Sequence, residues 1–267
     1  FLEIGKALHA DACKKGFLTH VFVANTLVSM YGKCGALLEA ENVFNSLSHR
    51  DIVAWTTMLT IYTEQGQAEL ALELYERMQT EDVSLDDISM ICILQGCSGR
   101  GSLGICENIH FAIVASGFDE NSSVSATLIH AYGNCMRTSD ARDIFNKQSD
   151  PDVVAWNALI SVYVDCGYAK EALRCLEMME LNGVMPDEVT FVCALKACCA
   201  LGTIDKGKSL HIDILRGGFG GDISVCNTLV DMYAKCGQLS KAQDVFDTIS
   251  CRDVVSWNVL IEGYVEH

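Results

Sequence analysis

Pro151-Asp152-Val153-Val154-Ala155-Trp156-Asn157-Ala158-Leu159-Ile160 is the stretch on which the reading of this chain turns. It returns as Asp51-Ile52-Val53-Ala54-Trp55-Thr56-Thr57-Met58-Leu59 and as Asp253-Val254-Val255-Ser256-Trp257-Asn258-Val259-Leu260-Ile261. The chain has 3 tryptophans, each 101 positions from the next. A fixed long period points to stacked repeats rather than one globular core. Cysteines keep the same step: Cys34, Cys135 and Cys236; Cys92 and Cys193; Cys97 and Cys198.

Counted from Val153, the 101-residue unit divides into residues 153–187, 188–222 and 223–253, of 35, 35 and 31 residues. The preceding cycle, 52–86, 87–121 and 122–152, has the same three lengths. Residues 21–51 form an earlier 31-residue block, 1–20 the back of a 35-residue one, and 254–267 the front of another.

Each block reads as two helices. Trp156, Leu159, Ile160 and Tyr163 fall at i, i+3, i+4 and i+7, one face of a helix. Gly167 suits a left-handed helix end. A second helix runs through Ala172, Leu173, Leu176 and Met179 and stops at Asn182-Gly183, with Pro186 beyond. In the 31-residue block, 227–233 gives the first helix, and Ala242, Val245 and Phe246 line the second. Tyr31, Tyr132 and Tyr233, Phe44, Phe145 and Phe246, and Phe17, Phe118 and Phe219 recur in register, as do Gly16, Gly117 and Gly218. All are read here as packing residues, the tryptophans included. One hairpin cannot bury its apolar stripe alone, so the expectation is all-α: a superhelical α-solenoid of helix-turn-helix repeats with a concave groove.

Composition narrows the function. Half of the 267 residues are hydrophobic, and 19 Lys and Arg against 35 Asp and Glu give a net charge of −16. That argues against polyanion binding by the whole surface, while leaving room for a local neutral or basic stripe. No apolar run reaches the roughly 18 residues of a membrane span, and no membrane association is expected. Residue 1 is Phe, so the chain reads as a segment of a longer protein whose targeting peptide lies outside it. The 14 cysteines include no C-x-x-C, and their register marks them as small buried residues of a reducing compartment. His9, His110 and His211 also lie 101 apart, and the repeat explains them better than metal ligation does. Phosphate-loop and nucleophile-elbow signatures are absent, and no acid/base pair stands out. The chain is expected to be no enzyme by itself and to need no cofactor.

The blocks resemble pentatricopeptide repeats of the mixed plant type, in which P, L and S repeats alternate. The residues that carry the resemblance are Val153 to Ile160 of the opening stretch and Asn182-Gly183-Val184-Met185-Pro186-Asp187. Ala197-Cys198 through Gly207-Lys208-Ser209-Leu210-His211, and Asn227-Thr228-Leu229-Val230-Asp231-Met232-Tyr233-Ala234-Lys235-Cys236-Gly237, carry it too. The 35/35/31 alternation is itself the mark of that subfamily, whereas tetratricopeptide repeats keep a uniform 34. The resemblance covers the whole chain. It makes 21–51, 122–152 and 223–253 S-type, 52–86 and 153–187 P-type, and 87–121 and 188–222 L-type, with 1–20 a partial L and 254–267 a partial P.

The resemblance implies a right-handed superhelix and sequence-specific recognition of single-stranded RNA, one base per repeat. In the family the fifth residue of a repeat faces the base edge, the last assists, and the second packs between bases. Carried over, Asn25 with Asp51, Asn157 with Asp187 and Asn227 with Asp253 look like uridine readers. Thr56 with Asp86 looks like a guanosine reader, and Asn258 suggests a pyrimidine. Phe22, Val53, Ile88, Val154, Val189 and Val255 would be the wedges. The implied target is 5′-UGnnUnUY-3′. Ile91, Val192 and Ala126 depart from the pattern, lacking a polar group, and should read little. Lys33 and Lys235 stand where the family often meets phosphate, but Glu64 and Asp165 occupy that place in the P-type blocks. The salt slope should therefore be shallow, about −0.7 per phosphate contact.

By the same resemblance the chain would guide organellar RNA processing in mitochondrion or chloroplast, above all recognition of C-to-U editing sites, with editing-factor proteins as further partners. Many such proteins end in a cytidine deaminase domain, whose H-x-E and P-C-x-x-C signatures are absent from these residues. The alternative is a protein-binding α-solenoid scaffold without RNA specificity.

Overall fold

An acidic or amide side chain just before an apolar run is a helix start signal, because its oxygen can accept from the unpaired N–H groups of the first turn. This chain uses it repeatedly. Asp51 accepts from the Ala54 N–H at 2.8 Å, Asp152 from Ala155 at 3.0 Å, Asp187 from Thr190 at 2.9 Å and Asp222 from Val225 at 2.9 Å. At Asp86, Asp187 and Asp253 the cap is reciprocal, with Ser89, Thr190 or Ser256 returning a bond to the cap backbone.

The computed structural model describes residues 2–97 and 103–267, so residue 1 of the first block and 98–102 of the 87–121 block lie outside the described residues. All regular structure among them is helical. The chain divides into two units, Phe1–Cys135 and Met136–His267. The first holds α1 (Leu2–Lys14), α2 (Val21–Lys33), α3 (Leu37–Ser46), α4 (Ile52–Glu64), α5 (Ala68–Thr80), α6 (Asp87–Gly96), α7 (Leu103–Ala115) and α8 (Ser122–Asn134). The second holds α9 (Thr138–Lys147), α10 (Val153–Asp165), α11 (Ala169–Leu181), α12 (Glu188–Leu201), α13 (Ile204–Arg216), α14 (Ile223–Lys235), α15 (Leu239–Thr248) and α16 (Val254–Glu266).

Within each unit the helices form hairpins whose first members lie side by side: α2 on α4, α4 on α6 and α6 on α8; α10 on α12, α12 on α14 and α14 on α16. A first helix touches its hairpin partner and the first helices beside it, so it must be apolar on several faces. α10 buries Ala155, Trp156, Asn157, Ala158, Leu159, Ile160, Val162 and Tyr163. A second helix is covered on one side and needs a single stripe; α11 buries Ala169, Ala172, Leu176 and Met179.

The periodic aromatics tie one hairpin to the next. Phe44 meets Trp55 edge to face at a centroid distance of 5.0 Å, Phe145 meets Trp156 at 4.5 Å and Phe246 meets Trp257 at 4.9 Å. The three periodic histidines have a matching explanation: Nδ1 of His9, His110 and His211 lies 2.9, 3.0 and 3.0 Å from the hydroxyl of Tyr31, Tyr132 and Tyr233. Cys92, Cys193 and Cys198 are buried helix residues and Cys97, just past the end of α6, is buried too, but in the other series Cys34 is exposed and Cys236 half-buried. Burial pushes the Cys97 thiol up to about 11 and Cys199 to about 12.

Two readings of the sequence change. Gly16, Gly117 and Gly218 are not packing residues: a Cβ at any of them would meet nothing within 4 Å. They sit at φ of 73°, 72° and 83°, left-handed turns that any other L residue enters at a cost. Phe17, beside the first of them, is half exposed, whereas Phe219 stacks tilted on Phe191 at 5.5 Å. The same register exposes two non-glycine residues in the left-handed region. Met136 (φ 59°) stands where Gly35 and Gly237 stand one period away, and Asp82 (φ 55°) where Gly183 does.

Candidate nucleic-acid interface

Because first helices lie side by side, the fifth residue of one comes beside the N-cap of the next. Asn25 Nδ2 donates to Asp51 Oδ1 at 3.0 Å. Asn157 Nδ2 donates to both oxygens of Asp187, at 2.9 and 3.0 Å. Asn227 Nδ2 reaches Asp253 Oδ1 at 3.3 Å. Three amide–carboxylate pairs, 26 or 30 residues apart in sequence, thus recur at one place in the hairpin geometry. Each Asp serves twice, capping a helix and holding the preceding amide. Asp253 is held below the usual carboxylate range, first by the Ser256 backbone N–H and then by the Ser256 hydroxyl.

The fourth pair is built differently. The Thr56 hydroxyl turns back to its own helix, donating to the Ile52 carbonyl at 2.9 Å with Val53 O at 3.2 Å, and among the described residues it makes no bond to Asp86. A β-branched hydroxyl on a helix has that carbonyl within reach, and a short side chain does not span to the next cap. Asp86 instead bonds Ser89, through its backbone N–H at 2.8 Å and through its hydroxyl.

Exposure separates the two kinds of position. Asn25, Thr56, Asn157 and Asn227 are only 7–9% exposed, lying in the seams between first helices. Phe22, Val53, Ile88, Val154, Val189 and Val255, each second in its helix, are 47–84% exposed although apolar. Within each unit their recurrence makes a row of apolar groups open to solvent beside the seams. Asn258 on α16 is exposed, Ala126 is buried, and Ile91 and Val192 are intermediate.

The cations divide as well. Lys33 is exposed and shares a shallow groove with Ser29, Thr57, Thr60, Ile61 and Glu64. Lys235 is tied to Asp231 one turn back, Nζ to Oδ2 at 2.9 Å, a bond that raises its pKa. A phosphate at Lys235 would have to share it with that carboxylate. Sequence reasoning passed over Lys196, exposed on α12 one turn after Val192 and therefore on the same side of that helix. It also passed over Ser89, Thr190 and Ser256, all fully buried behind the terminal aspartates. Their signal was legible: Asp-x-x-Ser/Thr is the spacing of a capping box.

Helix hairpins with side-by-side first helices, a polar pair in the seam and an apolar side chain open beside it define a helical repeat protein of the solenoid class. Residues 50–99 and 151–200 match the PPR repeat family, and 22–52 and 224–254 match the PPR repeat. The chain belongs to the pentatricopeptide repeat family. It is 33% identical over 266 residues to the Arabidopsis thaliana pentatricopeptide repeat-containing protein At1g11290, chloroplastic, covering 100% of this chain and 33% of that protein. Another Arabidopsis relative, At2g03380, mitochondrial, is 33% identical over 265 residues, covering 98% of this chain and 38% of its own length. The chain thus spans about a third of the length of these two relatives. The crystal structure of PPR10 from maize has a similar fold, with a TM-score of 0.63 at 20% identity over 89% of this chain and 36% of that one. PPR10 has also been crystallised in complex with an 18-nt psaJ RNA element, and that structure covers 96% of this chain and 44% of its own at the same TM-score and identity.

Proposed function

We propose that this chain binds single-stranded RNA in a sequence-specific manner, one base per repeat, and that it guides organellar RNA processing, above all recognition of C-to-U editing sites. The carrying observation is the recurrent amide–carboxylate pair in a seam flanked by an exposed apolar side chain. Such a pair offers fixed donors and acceptors to a base edge, and the apolar neighbour offers a surface on which a base can stack. A base that cannot match leaves a buried polar group unpaired, which costs about 1–3 kcal/mol. The repeats are assigned as alternating P, L and S types, with Asn25–Asp51, Asn157–Asp187 and Asn227–Asp253 reading U, and Thr56–Asp86 reading G. The PPR10–RNA complex supports RNA as the ligand class, and the chloroplastic and mitochondrial names of relatives support an organellar setting. On this reading the repeats bind and position, and any chemistry belongs to a further domain or an editing-factor partner.

Electrophoretic mobility shift with 5′-UGnnUnUY-3′ and a scrambled control tests the reading. A preference of at least several-fold is expected, with a shallow salt dependence. Equal or absent binding would overturn it in favour of a protein-binding scaffold. One observation favours that second reading: Phe111 and Val114 on α7, and Ile212 and Leu215 on α13, are exposed apolar groups on second helices.

A further inference from the structure

We propose that Thr190 is a positioning residue for the Asn157–Asp187 pair: its hydroxyl holds the Asn157 amide in one orientation and so sharpens base discrimination at that repeat. The inference rests on the RNA reading proposed above. Asn157 Nδ2 lies 2.9 and 3.0 Å from the two Asp187 oxygens, and a carboxylate only accepts, so the NH2 end of the amide must face it. At the other end, Asn157 Oδ1 lies 2.5 Å from Thr190 Oγ1, in a fully buried site. The Thr190 hydroxyl has one hydrogen and a second acceptor in reach, Asp187 Oδ1 at 2.9 Å. That oxygen already accepts from the Thr190 N–H and from Asn157, each at 2.9 Å. Asn157 Oδ1 has the Thr190 hydroxyl as its donor, so the hydrogen goes there and the amide is tied at both ends.

The other two pairs are tied at one end. Oδ1 of Asn25 and Oδ1 of Asn227 are buried without a hydrogen-bond partner. Three residues past Asp51 stands Ala54, which has no hydroxyl, and three past Asp253 stands Ser256, whose hydroxyl donates to Asp253 Oδ1 at 2.9 Å. An amide whose oxygen has no donor loses less on turning over than one bonded at both ends. Turned over, it presents an acceptor where a donor stood, and it matches more than one base edge. The residue three past the terminal aspartate therefore sets how strictly each Asn reads.

The test measures binding of the 267-residue chain to 5′-UGnnUnUY-3′ and to RNAs with each other base at the fifth or seventh position. Thr190→Val keeps the shape and removes the hydroxyl. Its preference for U at the fifth position is expected to fall about fivefold, the scale of one hydrogen bond, with the seventh position unchanged. Ser256→Thr is expected to raise the preference at the seventh. In parallel, hydrogen exchange at the Asn157 side-chain NH2, followed by NMR without RNA, should speed up in Thr190→Val. An unchanged preference ratio, or weaker binding spread evenly over all four bases, overturns the positioning role while leaving the RNA reading intact. No base preference in the unaltered chain overturns the RNA reading, and unchanged NH2 exchange then overturns the hold on the amide as well.

Discussion

Trp55→Ala is expected to lower the stability of the chain by about 3 kcal/mol, the lower part of the range for removing a buried aromatic. Trp55 is 0% exposed and meets Phe44 edge to face at 5.0 Å. The guanidinium carbons of Arg50 and Arg77 lie 5.7 and 5.6 Å from its ring, contacts worth about 0.5–1 kcal/mol each. One effect runs the other way. Trp55 Nε1 is buried without a partner, and deleting it recovers part of a desolvation cost of about 1–3 kcal/mol. The lost packing still dominates. Trp257, 51% exposed on α16, should cost about 1–2 kcal/mol on the same change, since only part of its surface leaves water. Urea unfolding followed by circular dichroism checks both. Equal losses at Trp55 and Trp257 would mean that the hairpin-to-hairpin contact does not carry the stability assigned to it.

Asp187→Ala should show two effects at once. It removes the cap of α12, worth about 0.5–2 kcal/mol, and leaves Asn157 Nδ2 in a seam without its acceptor. Together these should destabilise by about 2–4 kcal/mol and abolish the preference for U at the fifth base. Asp187→Ser separates them. Its hydroxyl oxygen can still accept from the first turn but offers no carboxylate to Asn157, so the cap should be restored and the loss reduced to the unpaired Asn157 amide, about 1–3 kcal/mol, while the base preference still falls. A serine variant that keeps full discrimination, or an alanine variant of unchanged stability, would contradict the double role.

Much of the fold can be read from residues alone because helical packing is periodic. Spacing puts Trp156, Leu159, Ile160 and Tyr163 on one face, and all are buried in α10. Gly167 and Gly183 read as helix ends, and both take positive φ. Residue identity was less informative about why a glycine recurs. Gly218 and its relatives serve backbone conformation, and Met136 and Asp82 adopt that conformation with a side chain attached. Only their alignment with glycines one period away hints at it.

For the candidate site, the sequence shows which positions recur in register and not which bonds they make. The fifth and last residues of a block meet through the stacking of two hairpins, and no local rule predicts the 3.0 Å contact from Asn25 to Asp51. Residue type bears on one of these bonds: a threonine within a helix has the carbonyl four residues back in reach, where Thr56 bonds, while Asn157 bonds the next hairpin. The Lys235–Asp231 bond, in contrast, follows from simple i, i+4 spacing and tempers the phosphate role that the resemblance implies.

The most direct test of base reading is a change of reader. Asn157→Thr, assayed against RNAs carrying each of the four bases at the fifth position of 5′-UGnnUnUY-3′, is expected to move the preference there from U to G and to leave the other positions as they were. A preference that stays on U would mean that residue 157 does not face the fifth base, and the assignment of one base to each hairpin would fall with it.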